Sequence, residues 1–153
     1  MSPGQGYIAF MEEAEGLKLS PYLDEAGIPT IGIGSTRYID GNHVQMTDPP
    51  ITEQQAVSLL MYDTLNNQRL LNSFFPDGTI TQNQNDAFLS FIYREGAGAF
   101  QTSTILRLAR VNPQDPNIQA AWNRWDEITV DGKRQFSQGE LNRCQKEYAL
   151  YIS

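Results

Sequence analysis

The sequence predicts an α+β fold, with a small β-sheet lobe and a larger helical lobe joined by a long helix. Residues 17–41 alternate apolar and polar side chains between turn residues, and most of the chain after residue 51 carries a helical apolar period. With 153 residues, 40% of them hydrophobic, the chain is long enough to fill the core of one domain or of two lobes sharing a helix. The expected layout within a single domain 1–153 is β-rich at 16–50, helical at 1–15 and 75–153, and a linking helix at 51–75.

At the N-terminus, Ser2, Pro3 and Gln5 read as a cap, a first-turn proline and a capping-box partner. Tyr7, Ile8, Met11 and Ala14 then recur at helical spacing, and Glu15-Gly16 forms the last turn and its stop. The period changes after Gly16. Leu17, Leu19 and Tyr22 alternate with polar residues, Glu25 to Gly27 reads as a turn, Thr30 to Ile33 as a strand and Asp40-Gly41 as a hairpin turn. Ile51, Thr52, Gln55 and Ala56 form a staple and capping box that open the long helix. Leu59, Leu60, Leu65, Leu70 and Leu71 carry it to the break at Phe74-Phe75-Pro76-Asp77-Gly78. Thr81 and Gln84 open a core helix whose Ala87, Phe88, Phe91 and Ile92 face inward, ended by Gly96 to Gly98. Further helices are expected around 102–110 and 115–125, separated at Asn112-Pro113, and Ser137 and Glu140 cap a last one. Trp122, Trp125, Phe74, Phe75, Tyr38 and Tyr93 are expected chiefly in the core, since aromatics at helical spacing bury large areas.

One cysteine excludes an internal disulfide and, with His43 as the one histidine, leaves no zinc cluster; no metal and no cofactor are implied. The Gly32-x-Gly34 pair has no third glycine opening a helix, so it is no dinucleotide fingerprint. The apolar run Tyr7 to Met11 is too short for a signal-peptide core and is followed by Glu12 and Glu13, so synthesis in the cytoplasm with no stable membrane insertion is expected. Net charge is −7, which disfavours nucleic acid. It is unevenly spread: residues 1–93 hold 3 Lys or Arg against 11 Asp or Glu, residues 94–153 hold 8 against 7. No long heptad seam stands out, so a monomer is expected.

Glu15, Asp24 and Thr30 bring two carboxylates and a hydroxyl onto a helix end and the sheet beside it. A carboxylate at a helix C-terminus faces the negative end of the macrodipole, and burial in a cleft also disfavours its charge. Both effects favour the protonated form a general acid needs. The run from Glu15-Gly16 through Tyr22, Asp24, Gly27 and Thr30-Ile31-Gly32-Ile33-Gly34 resembles the active-site signature of phage-type lysozymes, glycoside hydrolase family twenty-four. The resemblance continues through Ile51 to Ala56, Asp63, Ala87 to Phe91, Gly96 to Phe100, Ser103 to Leu106, Trp125 and Leu141 to Glu147, nearly the whole chain.

The resemblance implies a lysozyme-like fold and a peptidoglycan hydrolase that cuts the β-1,4 bond between N-acetylmuramic acid and N-acetylglucosamine. It makes Glu15 the acid on the departing oxygen, and makes Asp24 the carboxylate that steadies the oxocarbenium-like transition state and, with Thr30, positions the attacking water. It also implies inversion at the anomeric carbon. Tyr22 falls beside the cleft, and Arg94 and Glu95 are the further candidates for sugar contact, although charged pairs at helix ends are usually solvated.

Three positions depart from the family pattern. Ser35 replaces a histidine that pairs with an aspartate at Asp63, Arg94 replaces Asn or Gln, and Cys144 replaces an arginine; the spacing of Cys144 from Leu141, Tyr148 and Tyr151 predicts a buried, inert thiol. The implied setting is a phage or prophage endolysin acting on the wall in the periplasm after a holin opens the membrane. The alternatives are an antibacterial effector delivered by a secretion machine, a non-catalytic peptidoglycan-binding or structural relative, and a transglycosylase.

Overall fold

The computed structural model describes residues 1–76 and 78–153; Asp77, part of the expected break after the long helix, lies outside the described residues. The described residues form seven helices and four strands: α1 Gln5–Glu15, β1 Lys18–Leu23, β2 Pro29–Gly32, α2 Glu53–Phe74, α3 Gln82–Glu95, α4 Ala97–Thr102, α5 Thr104–Val111, α6 Ile118–Asn123, β3 Glu127–Val130, β4 Lys133–Phe136 and α7 Gln138–Ile152. They divide into two compact units, residues 5–66 and residues 1–4 with 67–153, so that α2 contributes to both. Helix α1, expected with the helical lobe, belongs to the unit of the first sheet.

In the unit 5–66, β1 and β2 pair antiparallel with Tyr22 opposite Thr30 and Leu23 opposite Pro29. The strand expected at Thr30 to Ile33 stops at Gly32. There φ is +68°, and an added Cβ would lie 3.2 Å from the Ala56 Cβ, so the sheet reaches α2 as closely as glycine allows. A bridge between Ile31 and Ser35 closes the next turn, and one between Arg37 and His43 closes the expected turn at Asp40-Gly41. Tyr7, Met11, Ile31, Ile33, Val44 and Leu60 fill the core, where the Tyr7 and Thr64 hydroxyls share a 2.9 Å hydrogen bond. The capping box at α2 is present: Gln55 N–H donates to Thr52 Oγ1 (3.1 Å) and Thr52 N–H to Gln55 Oε1 (2.8 Å). Leu65, expected on the apolar stripe, is 45% exposed.

Helix α1 begins at Gln5 instead of at the Ser2-Pro3 signal. Side chains of α3 hold the preceding residues: the Ser2 carbonyl accepts from Gln82 Nε2 (2.9 Å), and Gly4 N–H donates to Asp86 Oδ1 (2.9 Å). A tertiary anchor thus overrides a local cap.

In the second unit α3 carries the expected capping box between Thr81 and Gln84, and every residue from Gln84 to Ile92 is buried. Phe88 stacks on Trp122 at 5.7 Å, Phe91 meets Trp122 edge-on at 5.8 Å, and Tyr151 of α7 packs on Phe88 at 5.1 Å. Trp125 lies half-buried with Phe91 perpendicular to it at 5.0 Å. Gly96 ends α3 and also opens α4, so Gly98 sits inside a helix instead of terminating one.

The β3–β4 hairpin corrects the expectation of a wholly helical 75–153. Its signal was an Asp-Gly pair after Ile128-Thr129-Val130. Asp131 at φ 50° and Gly132 at φ 75° make the two positive-φ positions of a tight hairpin turn, preceded by the β-branched Ile128, Thr129 and Val130 that favour a strand.

Candidate active site

Gly16, at φ +80°, donates its N–H to the Glu12 carbonyl (3.0 Å), ending α1 and turning the chain into β1 one residue after Glu15. The hairpin that follows is pinned by Asp24. Its Oδ1 accepts from the N–H groups of Ala26 (2.9 Å) and Ile28 (2.8 Å), while its own N–H donates to the Ile28 carbonyl (3.0 Å). The carboxylate is oriented by the backbone of its own turn, and Oδ2 takes no hydrogen bond among the described residues.

Glu15, Lys18, Tyr22, Asp24 and Glu25 line one open groove of ≈ 500 Å³. Burial and the nearby charges of Glu15 and Asp24 push the Tyr22 phenol above its ordinary range, which places that phenol within the field of both carboxylates. Lys18 Nζ lies 4.0 Å from the centre of the Tyr22 ring.

Thr30 sits opposite Tyr22 across the β1–β2 ladder but is only 2% exposed, and its hydroxyl donates to the Ile28 carbonyl (2.9 Å). That proton is committed, so toward a water the Thr30 oxygen is an acceptor.

Ser35 answers the missing histidine. Its hydroxyl donates to Asp63 Oδ2 at 2.7 Å, so a hydroxyl–carboxylate hydrogen bond stands where the family pattern has an ion pair. Desolvation pushes the Asp63 carboxyl above the usual range, and the Ser35 bond pulls it back.

Arg94 and Glu95 lie in the second unit, at the end of α3. The Arg94 side chain is 8% exposed and is not solvated as a helix-end charge usually is. Its Nη1 donates to Glu95, to Glu140 Oε2 (2.8 Å) and to the Trp125 carbonyl (3.1 Å); its Nη2 donates to Glu147 Oε2 (3.0 Å) and Cys144 Sγ (3.4 Å). Glu147, fully buried, also accepts from Ser90 Oγ (2.9 Å) and Trp122 Nε1 (2.8 Å). Burial opposes the charge on Arg94, and Glu147 foremost holds it above the ordinary range nonetheless. Burial likewise lifts the Glu95 carboxyl, against the pull of Arg94 and with the repulsion of Glu140 and Glu147. Cys144 is fully buried as expected, its thiol pushed up to about 11 by desolvation. Sequence reasoning missed this network, because Glu140 and Glu147 lie 46 and 53 residues from Arg94 and share no local pattern with it. Among the described residues no His, Cys, Asp and Glu group suited to a metal ion occurs.

A sequence model of phage lysozyme matches residues 12–147, most of the chain and all of the groove. The chain belongs to the phage lysozyme family. The chain is 37% identical over 146 residues to the endolysin of Salmonella phage P22, covering 95% of this chain and 94% of that one. It is 32% identical over 133 residues to the SAR-endolysin of Bacteriophage PS119, covering 87% of this chain and 73% of that one. Among solved structures it resembles the endolysin from Escherichia coli O157:H7 phage FAHEc1 with a TM-score of 0.89 at 34% identity, covering 100% of this chain and 94% of that one. The mixed helical fold with small two-stranded sheets is therefore that of the lysozyme-like endolysins.

Proposed function

We propose that this phage lysozyme hydrolyses the β-1,4 bond between N-acetylmuramic acid and N-acetylglucosamine in peptidoglycan, with Glu15 as the general acid on the leaving oxygen. Asp24 offers its uncommitted Oδ2 to the positive charge developing on the sugar ring and, with the Thr30 oxygen, orients the attacking water. Tyr22 lines the same groove and contacts the sugar. The observation that carries this reading is the convergence of Glu15 and Asp24 on one groove, with the Asp24 carboxylate already locked by its own turn.

The endolysin relatives support a role in host lysis, with wall peptidoglycan as the target; access to it through a holin or a secretion machine is part of this reading. Among the described residues no helix is long and apolar enough to cross a membrane. Mass spectrometry of fragments from purified peptidoglycan tests the reaction. Hydrolysis gives reducing N-acetylmuramic acid ends, whereas anhydro-muramic ends would make the enzyme a transglycosylase and binding without cleavage would make it a non-catalytic relative.

A further inference from the structure

Lys18 brings a cation into the groove. Three acids, Glu15, Asp24 and Glu25, line the same groove, and among the described residues the contact shown for the ammonium is the Tyr22 ring. It lies over the Tyr22 ring, and the reason is a backbone irregularity. Lys18 pairs with Gly32 and Tyr22 with Thr30, so four steps along β1 oppose two along β2. The surplus residues bulge, and the Leu19 carbonyl leaves the ladder to accept from Ile51 N–H (2.9 Å). In a regular strand residues four apart stand about 13 Å from each other; here the ladder is irregular between them, and Lys18 Nζ lies 4.0 Å from the Tyr22 ring beside the acids. A cation held by a ring face keeps its three N–H donors for another partner.

We propose that Lys18 is a specificity-determining residue that takes a carboxylate carried on the muramic acid side of the glycan, either the lactyl carboxylate or one on the stem peptide. This rests on the muramidase reading. Pairing of that carboxylate with Lys18 offsets the repulsion an anionic strand meets from Asp24 and Glu25, and it sets the strand's register against the acid.

The test compares KM and kcat of wild type, Lys18→Met and Lys18→Arg on soluble glycan strands. The strands either carry stem peptides or are stripped to lactyl carboxylates, each with carboxylates free or capped as amides. Lys18→Met is expected to raise KM roughly three-fold or more on free-carboxylate strands. Lys18→Arg should restore most of the loss, and the variant-to-wild-type ratio should shrink toward one on capped strands. A penalty confined to peptide-bearing strands assigns the carboxylate to the stem; one on both assigns it to the lactyl group. A KM ratio unchanged by capping, or a kcat loss shared by all substrates, would overturn the proposal and leave Lys18 as a prop for Tyr22. Wild type producing no reducing ends on any strand would instead overturn the muramidase reading itself.

Discussion

At the scale of single residues, Glu15 and Asp24 differ in how they are held. Glu15 is presented by the last turn of a helix, whereas Asp24 is fixed by two backbone N–H donors. Asp24→Asn should therefore keep its turn, because an amide oxygen accepts the same two bonds, and still lose roughly 10²-fold or more in kcat as the negative charge disappears. A lysis assay on the folded variant checks this, and activity within two-fold of wild type would count against the role. Cys144 makes a second residue-scale prediction. Its folded value of about 11 lies above the roughly 8.5 of an exposed thiol, so its contribution to stability is complete below the lower value and is lost as pH rises through the upper one. At pH 8 the native thiol should resist iodoacetamide and react promptly once denatured; quick labelling of the native enzyme would show that the thiol is accessible.

At the scale of elements, the local signals that survived were those with complete short-range chemistry. Thr81 with Gln84, Thr52 with Gln55 and Ser137 with Glu140 were all legible, because a cap needs only residues three apart. Thr81→Ala should cost about 1 kcal/mol, read as a lower unfolding midpoint with activity retained. Ser2-Pro3 misled because the Ser2 carbonyl is claimed by Gln82 and the Gly4 N–H by Asp86, about 80 residues away. The β3–β4 hairpin was legible in Asp131-Gly132 but was masked by the helical text on either side.

Of the groove, Glu15, Tyr22 and Asp24 were legible through the resemblance to the phage-lysozyme signature, which spacing alone would not have supplied, while Lys18 required knowledge of a bulge that no periodicity reveals. The Arg94 network depends on α3 and α7 packing together. Replacing Arg94 with Gln removes the nearer of the two cations that, among the described residues, sit on buried Glu147, leaving Arg143 Nε at 3.5 Å, and should cost about 3–5 kcal/mol of stability. A denaturant melt checks this. A variant of normal stability with a raised KM would instead put Arg94 in sugar binding.

At the scale of the whole molecule, a net charge of −7 works against encounter with an anionic wall, and the excess lies in residues 1–93, which hold the groove. Moderate added salt should therefore raise the lytic rate by screening the repulsion, and a steady fall with ionic strength would contradict that electrostatic account. The central claim is that a proton donor at the end of α1 breaks a glycosidic bond while a carboxylate in the first hairpin manages the charge and the water. The most direct measurement counts new reducing ends released from purified peptidoglycan by wild type and by Glu15→Gln at equal folded concentration. The account predicts steady release by wild type and a loss of roughly 10³-fold or more in the variant. Release by Glu15→Gln at near wild-type rate would contradict it.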